Sequence, residues 1–186
     1  MTIVAAIEYP GGVLVGCDTC VSIGSERDME DRPKWSLRCD GAFLFAIAGD
    51  VRTIQLADSA EFPRQPDGMT DQRYLEDIAV PAIIKAAKSR SNRSWKNNFD
   101  CLIAYHGGVY QVFTNGSVIR SGRKFAAVGS GGSLAKAALC QSMIDGVERT
   151  AAARLDLALR VASMIDDGVN DKFICTDIKW PVGGGG

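Results

Sequence analysis

Residues Thr2 to Glu8 and Val13 to Cys17 are two nearly continuous apolar runs, separated by Tyr9-Pro10-Gly11-Gly12. Pro and Gly together are strong turn chemistry, so the pair reads as a β-hairpin. Neither run alternates apolar with polar. A strand of that kind is covered on both faces, so its sheet must lie between two other layers. Ala42 to Ala48 repeats the pattern, and Phe99 to Tyr105 with Val109 to Thr114 repeats the hairpin across His106-Gly107-Gly108.

Helical spacing occurs in two blocks. Val51 to Ser59 and Asp71 to Lys88 form the first, with Leu75, Ile78, Ala79, Ala82 and Ile83 on one face and Pro81 expected to kink the second helix or divide it in two. Leu134 to Met143 and Thr150 to Asp167 form the other, with Leu155, Leu159, Ala162 and Ile165 as a stripe. Trp35 to Arg38, Val118 to Arg120, Phe125 to Val128 and Lys172 to Ile178 read as strands. Residues 25–33, rich in charge, and 61–70 read as loops. The order is strands, two helices, strands, two helices, strand. Segregated runs of this kind predict an α+β protein of packed antiparallel sheets with helices outside. Residues 1–180 are expected to form one domain, with a Gly-rich tail at 181–186.

Composition excludes several function classes. Lysine and arginine number 21 against 22 acids, so there is no global pull toward nucleic acid. The run from Lys85 to Lys96 holds five cations and no acid. A basic helix end leading into a solvated loop accounts for it better than a nucleic-acid patch. There is no apolar run of spanning length, and Glu8, Pro10 and Gly11 interrupt the start too early for a signal peptide, so a cytoplasmic protein off the membrane is expected. The six cysteines lack metal-ligand spacing and are expected to be small buried hydrophobes. His106 is the only histidine and sits at a turn tip, which argues against mechanisms built on an imidazole base.

Another base is available. Thr2 follows Met1 directly. Removal of Met1 would put a hydroxyl and a free α-amine on one residue, a nucleophile with its own general base. The amine's reference pKa is about 7.7–8.0, and a nearby cation lowers such a value. Asp18 ends the strand paired with the one Thr2 opens, and Lys34 stands at the mouth of another strand. Gly49 follows a buried strand, where a backbone N–H can face a developing oxyanion. Ser130 lies in a Gly-rich turn before a helix, within reach of an amine or a water.

Thr2, Asp18, Lys34, Ala48-Gly49, Gly129-Ser130-Gly131 and Asp167 occur in the order found in proteasome β subunits. The chain resembles that family, and most closely its bacterial relatives HslV and Anbu, from Thr2 to about Ile178. The resemblance implies a four-layer αββα sandwich of the N-terminal nucleophile hydrolase type. It implies a threonine peptidase in which Thr2 is nucleophile and base, Lys34 tunes it, Asp18 orients Lys34, Gly49 supplies the oxyanion N–H, and Ser130 and Asp167 support the amine and the attacking water. Asn170 stands where many relatives have Ser and would be a supporting residue. The resemblance further implies a homo-oligomer (a ring, barrel or helical array), a peptide or unfolded-protein substrate, an ATP-driven unfoldase partner, and no cofactor or metal. Two alternatives stay open. Thr2-Ile3-Val4-Ala5 can be laid on the HslV start with Met1 in the nucleophile's place, although the Asp18 and Lys34 spacings favour Thr2. With Met1 retained, the chain would be a silent proteasome-like subunit whose role is assembly.

Overall fold

The first hairpin forms as β1 (Ile3–Tyr9) and β2 (Gly12–Asp18), paired antiparallel from Val4 with Cys17 to Tyr9 with Gly12. Residues 2–23, 26–29, 32–49, 51–88 and 100–180 are described by this computed structural model. Met1, most of the basic run and the terminal glycines lie outside the described residues.

The remaining strands are β3 (Cys20–Ile23), β4 (Glu26–Met29), β5 (Trp35–Arg38), β6 (Phe43–Ala48), β7 (Asp100–Tyr105), β8 (Gly108–Val112), β9 (Val118–Arg120), β10 (Phe125–Gly129) and β11 (Phe173–Lys179). The helices are α1 (Val51–Ala57), α2 (Asp71–Tyr74), α3 (Val80–Lys88), α4 (Gly132–Ile144) and α5 (Ala151–Ile165). One antiparallel sheet runs β10-β1-β2-β11 and a second runs β5-β6-β7-β8-β9.

The uninterrupted apolar runs have a simple cause. Successive side chains of a strand face opposite ways. Val4 and Ala6 of β1 meet Leu44 and Ala46 of β6 and Leu102 and Ala104 of β7 between the two sheets. Ile3, Ala5 and Ile7 face the other way, onto Ala135 and Leu139 of α4 and Leu155, Leu159 and Ala162 of α5. Phe43, Phe45 and Ile47 point outward from the second sheet onto Tyr74, Leu75 and Ile83. Three apolar layers thus separate four structural layers, and the chain is an α+β protein with the αββα order. Truncating a buried leucine such as Leu102 would cost about 2–5 kcal/mol.

Three sequence expectations need correction. Part of the charged stretch expected to be loop is strand: β4 pairs with β3 from Cys20–Met29 to Ile23–Glu26. A two-stranded ribbon is held by backbone pairing, which a hydrophobic pattern does not report. The helix expected over 150–167 stops at Ile165, because Asp166 turns extended at φ −95°, ψ 104°. Pro81 does not divide the middle helix. It is the second residue of α3, and a π-helical turn over Leu75–Ala79 precedes it. That wider turn relieves the contact of the proline ring with the carbonyl four residues back.

His106 sits at the β7–β8 turn, as expected. Its ring stacks on Tyr105 and lies tilted against Trp180, and Nδ1 lies 2.8 Å from Asp71 Oδ1. The cysteines divide: Cys17, Cys20 and Cys101 are buried, Cys39 and Cys140 are half-buried, and Cys175 is exposed. Cys175 lies on β11, an edge strand with a ladder partner on one side only.

Candidate functional site

Thr2 directly precedes β1, and the β1–β10 ladder ends at the pair Ile3–Gly129, so Thr2 abuts the Gly129-Ser130-Gly131 turn. Gly129 has φ +93°, and a Cβ there would stand 2.2 Å from the Thr2 carbonyl oxygen. Only glycine suits both the backbone angle and the contact. Beyond the ladder, the Gly131 N–H donates to the Thr2 carbonyl at 3.4 Å. The Ser130 hydroxyl donates to that carbonyl at 3.3 Å and accepts from the Thr2 N–H at 3.3 Å.

Asp18, the last residue of β2, is fully buried, and its carboxylate gathers the cluster. Oδ1 accepts from the Thr2 hydroxyl at 3.0 Å, the Ile3 N–H at 2.9 Å and the Lys34 ammonium at 2.5 Å. Oδ2 accepts from the Cys20 N–H at 3.1 Å. Lys34 stands just before β5, its side chain 10% exposed. Its ammonium also donates to the Cys20 carbonyl at 2.7 Å. A buried charge is tolerable when it is both paired and hydrogen-bonded, and here both conditions hold. Beside the cluster, burial pushes the Cys17 thiol up to about 11, against the opposing effect of the Lys34 N–H at its sulfur.

Thr2, Asp18, Lys34 and Ser130 are thus brought together. Three other sequence candidates are joined to them less directly or not at all. Gly49 follows β6 and is exposed, with no hydrogen bond to the cluster among the described residues. Asp167 is also exposed and makes no such bond. Its neighbour Asp166 is turned inward: Oδ1 accepts from the Gly168 N–H at 2.8 Å, and Oδ2 is a buried oxygen with no hydrogen-bond partner among the described residues. Asn170 bonds to Thr19 rather than to Thr2.

Sequence reasoning missed the Cys20 carbonyl, Thr19 and Asp166. The Asp18–Cys20 contact is an Asx turn, which an Asp at a strand end does signal. Nothing in the sequence distinguishes the directions of two adjacent aspartates past a helix end.

Chemically, the arrangement holds one hydroxyl against a carboxylate that also binds a cation. Among the described residues, no group of three or more His, Cys, Asp or Glu side chains could hold a metal ion. No described helix is long and apolar enough to cross a membrane.

No protein-family model matches the chain, and no curated protein matches it in sequence. Solved structures do match. BPH from Thiobacillus denitrificans, in complex with epoxomicin, is 20% identical with a TM-score of 0.72, over 95% of this chain and 98% of that one. HslV from Trypanosoma brucei is 21% identical with a TM-score of 0.70, over 95% and 99%. Anbu from Hyphomicrobium sp. strain MC1 is 18% identical with a TM-score of 0.66, over 95% and 82%. At these identities the likeness is one of fold: the chain has the same fold as the BPH, HslV and Anbu structures.

Proposed function

We propose that this chain is a threonine peptidase of the proteasome-like type, active once Met1 is removed. The observation that carries the reading is the meeting of the Thr2 hydroxyl and the Lys34 ammonium on one oxygen of the buried Asp18 carboxylate. A cation held there favours the alkoxide that attacks a carbonyl. The Thr2 nitrogen, already in contact with Ser130, would become the free amine.

In the proposed reaction Thr2 Oγ1 attacks the peptide carbonyl and passes its proton to the amine. The amine returns it to the leaving nitrogen, and an ester on Thr2 remains for water to hydrolyse. Base catalysis of this kind contributes about 10²–10⁴-fold. Gly49 as oxyanion donor and Asp167 as support for the water are the roles that the resemblance assigns. No cofactor or metal enters the scheme. The substrate is a peptide or an unfolded protein, with an ATP-driven unfoldase required for folded ones, in the cytoplasm.

Assembly into a homo-oligomer, whether ring, barrel or helical array, belongs to the same proposal. Met164 is 83% exposed and Ile165 62% exposed at the end of α5, which is apolar surface that a second copy would cover. A silent assembly subunit is the second reading. In that reading Met1 stays in place and the Thr2 nitrogen remains a peptide nitrogen rather than a free amine.

Intact mass and turnover of a fluorogenic peptide test the proposal together. The expected result is a chain lacking Met1 whose turnover is abolished by Thr2→Ala while assembly is retained. Turnover that survives Thr2→Ala would overturn it. A retained Met1 with no turnover would favour the second reading.

A further inference from the structure

Strand β2 ends at Asp18, whose ladder partner is Phe173. Past that pair, a side chain takes over the fastening. The Thr19 N–H is shared between the Lys172 carbonyl and Asn170 Oδ1, each at 3.2 Å. Asn170 Nδ2 donates back to Thr19 Oγ1 at 2.8 Å. Both polar atoms of one amide are therefore spent on one residue, and that residue, Thr19, is only 5% exposed.

Thr19 lies between Asp18 and the residue that anchors it. Its following residue, Cys20, supplies the N–H bonded to Asp18 Oδ2 and the carbonyl bonded to the Lys34 ammonium. Loosening Thr19 would thus loosen the carboxylate on its Oδ2 side and the lysine on its second anchor. We infer that Asn170 is a positioning residue, which sets the direction of the Asp18 carboxylate through Thr19. What that carboxylate is for rests on the threonine-hydrolase reading above. The role differs from the support of the amine that the resemblance implied, since no hydrogen bond joins Asn170 to Thr2 among the described residues. A serine at 170 would have to accept and donate through one oxygen, where the amide uses two separate atoms.

Amide hydrogen exchange on the full chain tests the latch without requiring activity. In Asn170→Ala, the Ile3 and Cys20 amides, both bonded to Asp18, exchange about tenfold faster, while Leu44 and Leu102 in the core stay within about twofold. In Asn170→Asp, one carboxylate oxygen still accepts from the Thr19 N–H and the Thr19 hydroxyl turns to donate to the other, so protection returns. Thr19→Val removes only the hydroxyl and gives a smaller change at the same two amides, which keeps the test alive if Asn170→Ala fails to fold. Unchanged Ile3 and Cys20 exchange, or equal acceleration at all four amides, would overturn the inference.

A second arm measures adduct formation on Thr2 by epoxomicin, the ligand of the Thiobacillus structure, in chain lacking Met1. The maximal rate falls about tenfold in Asn170→Ala with half-saturation little changed. A wild-type chain that forms no adduct would count against the hydrolase reading, and the exchange arm would still decide the latch.

Discussion

Lys34 and Asp18 form a buried pair at 2.5 Å, and the lysine's second bond, to the Cys20 carbonyl, returns to the same turn that Asp18 opens. The ammonium and the carboxylate therefore hold each other and the backbone between Asp18 and Cys20. Asp18→Ala leaves the ammonium facing only that carbonyl and is expected to cost about 3–5 kcal/mol in urea unfolding. Asp18→Asn combined with Lys34→Met should recover part of the loss, because no buried charge is then left alone. Strictly additive losses would refute this coupling.

Gly129→Ala is expected to destabilise by about 1–3 kcal/mol from backbone strain alone, and more from the collision with the Thr2 carbonyl. Displacing that carbonyl also displaces the hydroxyl on the same residue, so adduct formation on Thr2 should fall with stability. Gly122→Ala is the control: nothing lies within 4 Å of the added carbon, and thermal unfolding should not shift measurably.

Asp166 and Asp167 separate by direction. Asp167→Ala removes an exposed carboxylate and is expected to change stability by no more than about 0.5 kcal/mol. Asp166→Ala loses the bond from the Gly168 N–H and should cost about 1 kcal/mol. Chemical denaturation of the two variants gives the comparison, and equal costs would contradict the inward placement of Asp166.

Asp58 gives a pH dependence with a definite sign. A hydrogen bond from Ser36 holds its carboxyl below the ordinary value, burial opposes this in part, and Arg38 adds to the lowering. A group lowered in the folded state contributes stability above its unfolded value and loses it as pH falls through the folded one. The stability difference between wild type and Asp58→Asn should be flat near neutrality and shrink below roughly pH 4. A difference that grows in acid would reverse the assignment.

Thiol accessibility follows burial. Iodoacetamide on the native chain should label Cys39, Cys140 and Cys175, the last slowed because burial and Asp156 hold its thiol above the ordinary value, with Cys17, Cys20 and Cys101 reacting only after denaturation. Burial pushes the Cys17 thiol up to about 11 and Cys101 higher still, so their thiolates are scarce as well as inaccessible. Mass spectrometry of the alkylated peptides gives the order.

The four layers were legible because β1, β2, β6 and β7 carry apolar residues on both faces, and only a covered sheet makes that pattern stable. The core of the candidate site was legible for a related reason. Thr2 and Asp18 are sixteen residues apart, and a tight hairpin returns Asp18 to the strand start, whereas Lys34, beyond a stretch read as loop, was joined to them by the family resemblance. Regular strands carry spacing faithfully into space. Past the ends of regular elements that fidelity stops. Asp166 rather than Asp167 faces inward because one residue after α5 turns extended, and Asn170 meets Thr19 because β2 and β11 converge there. Those directions depend on single backbone angles and on contacts between elements about 150 residues apart, so only the tertiary structure could decide them.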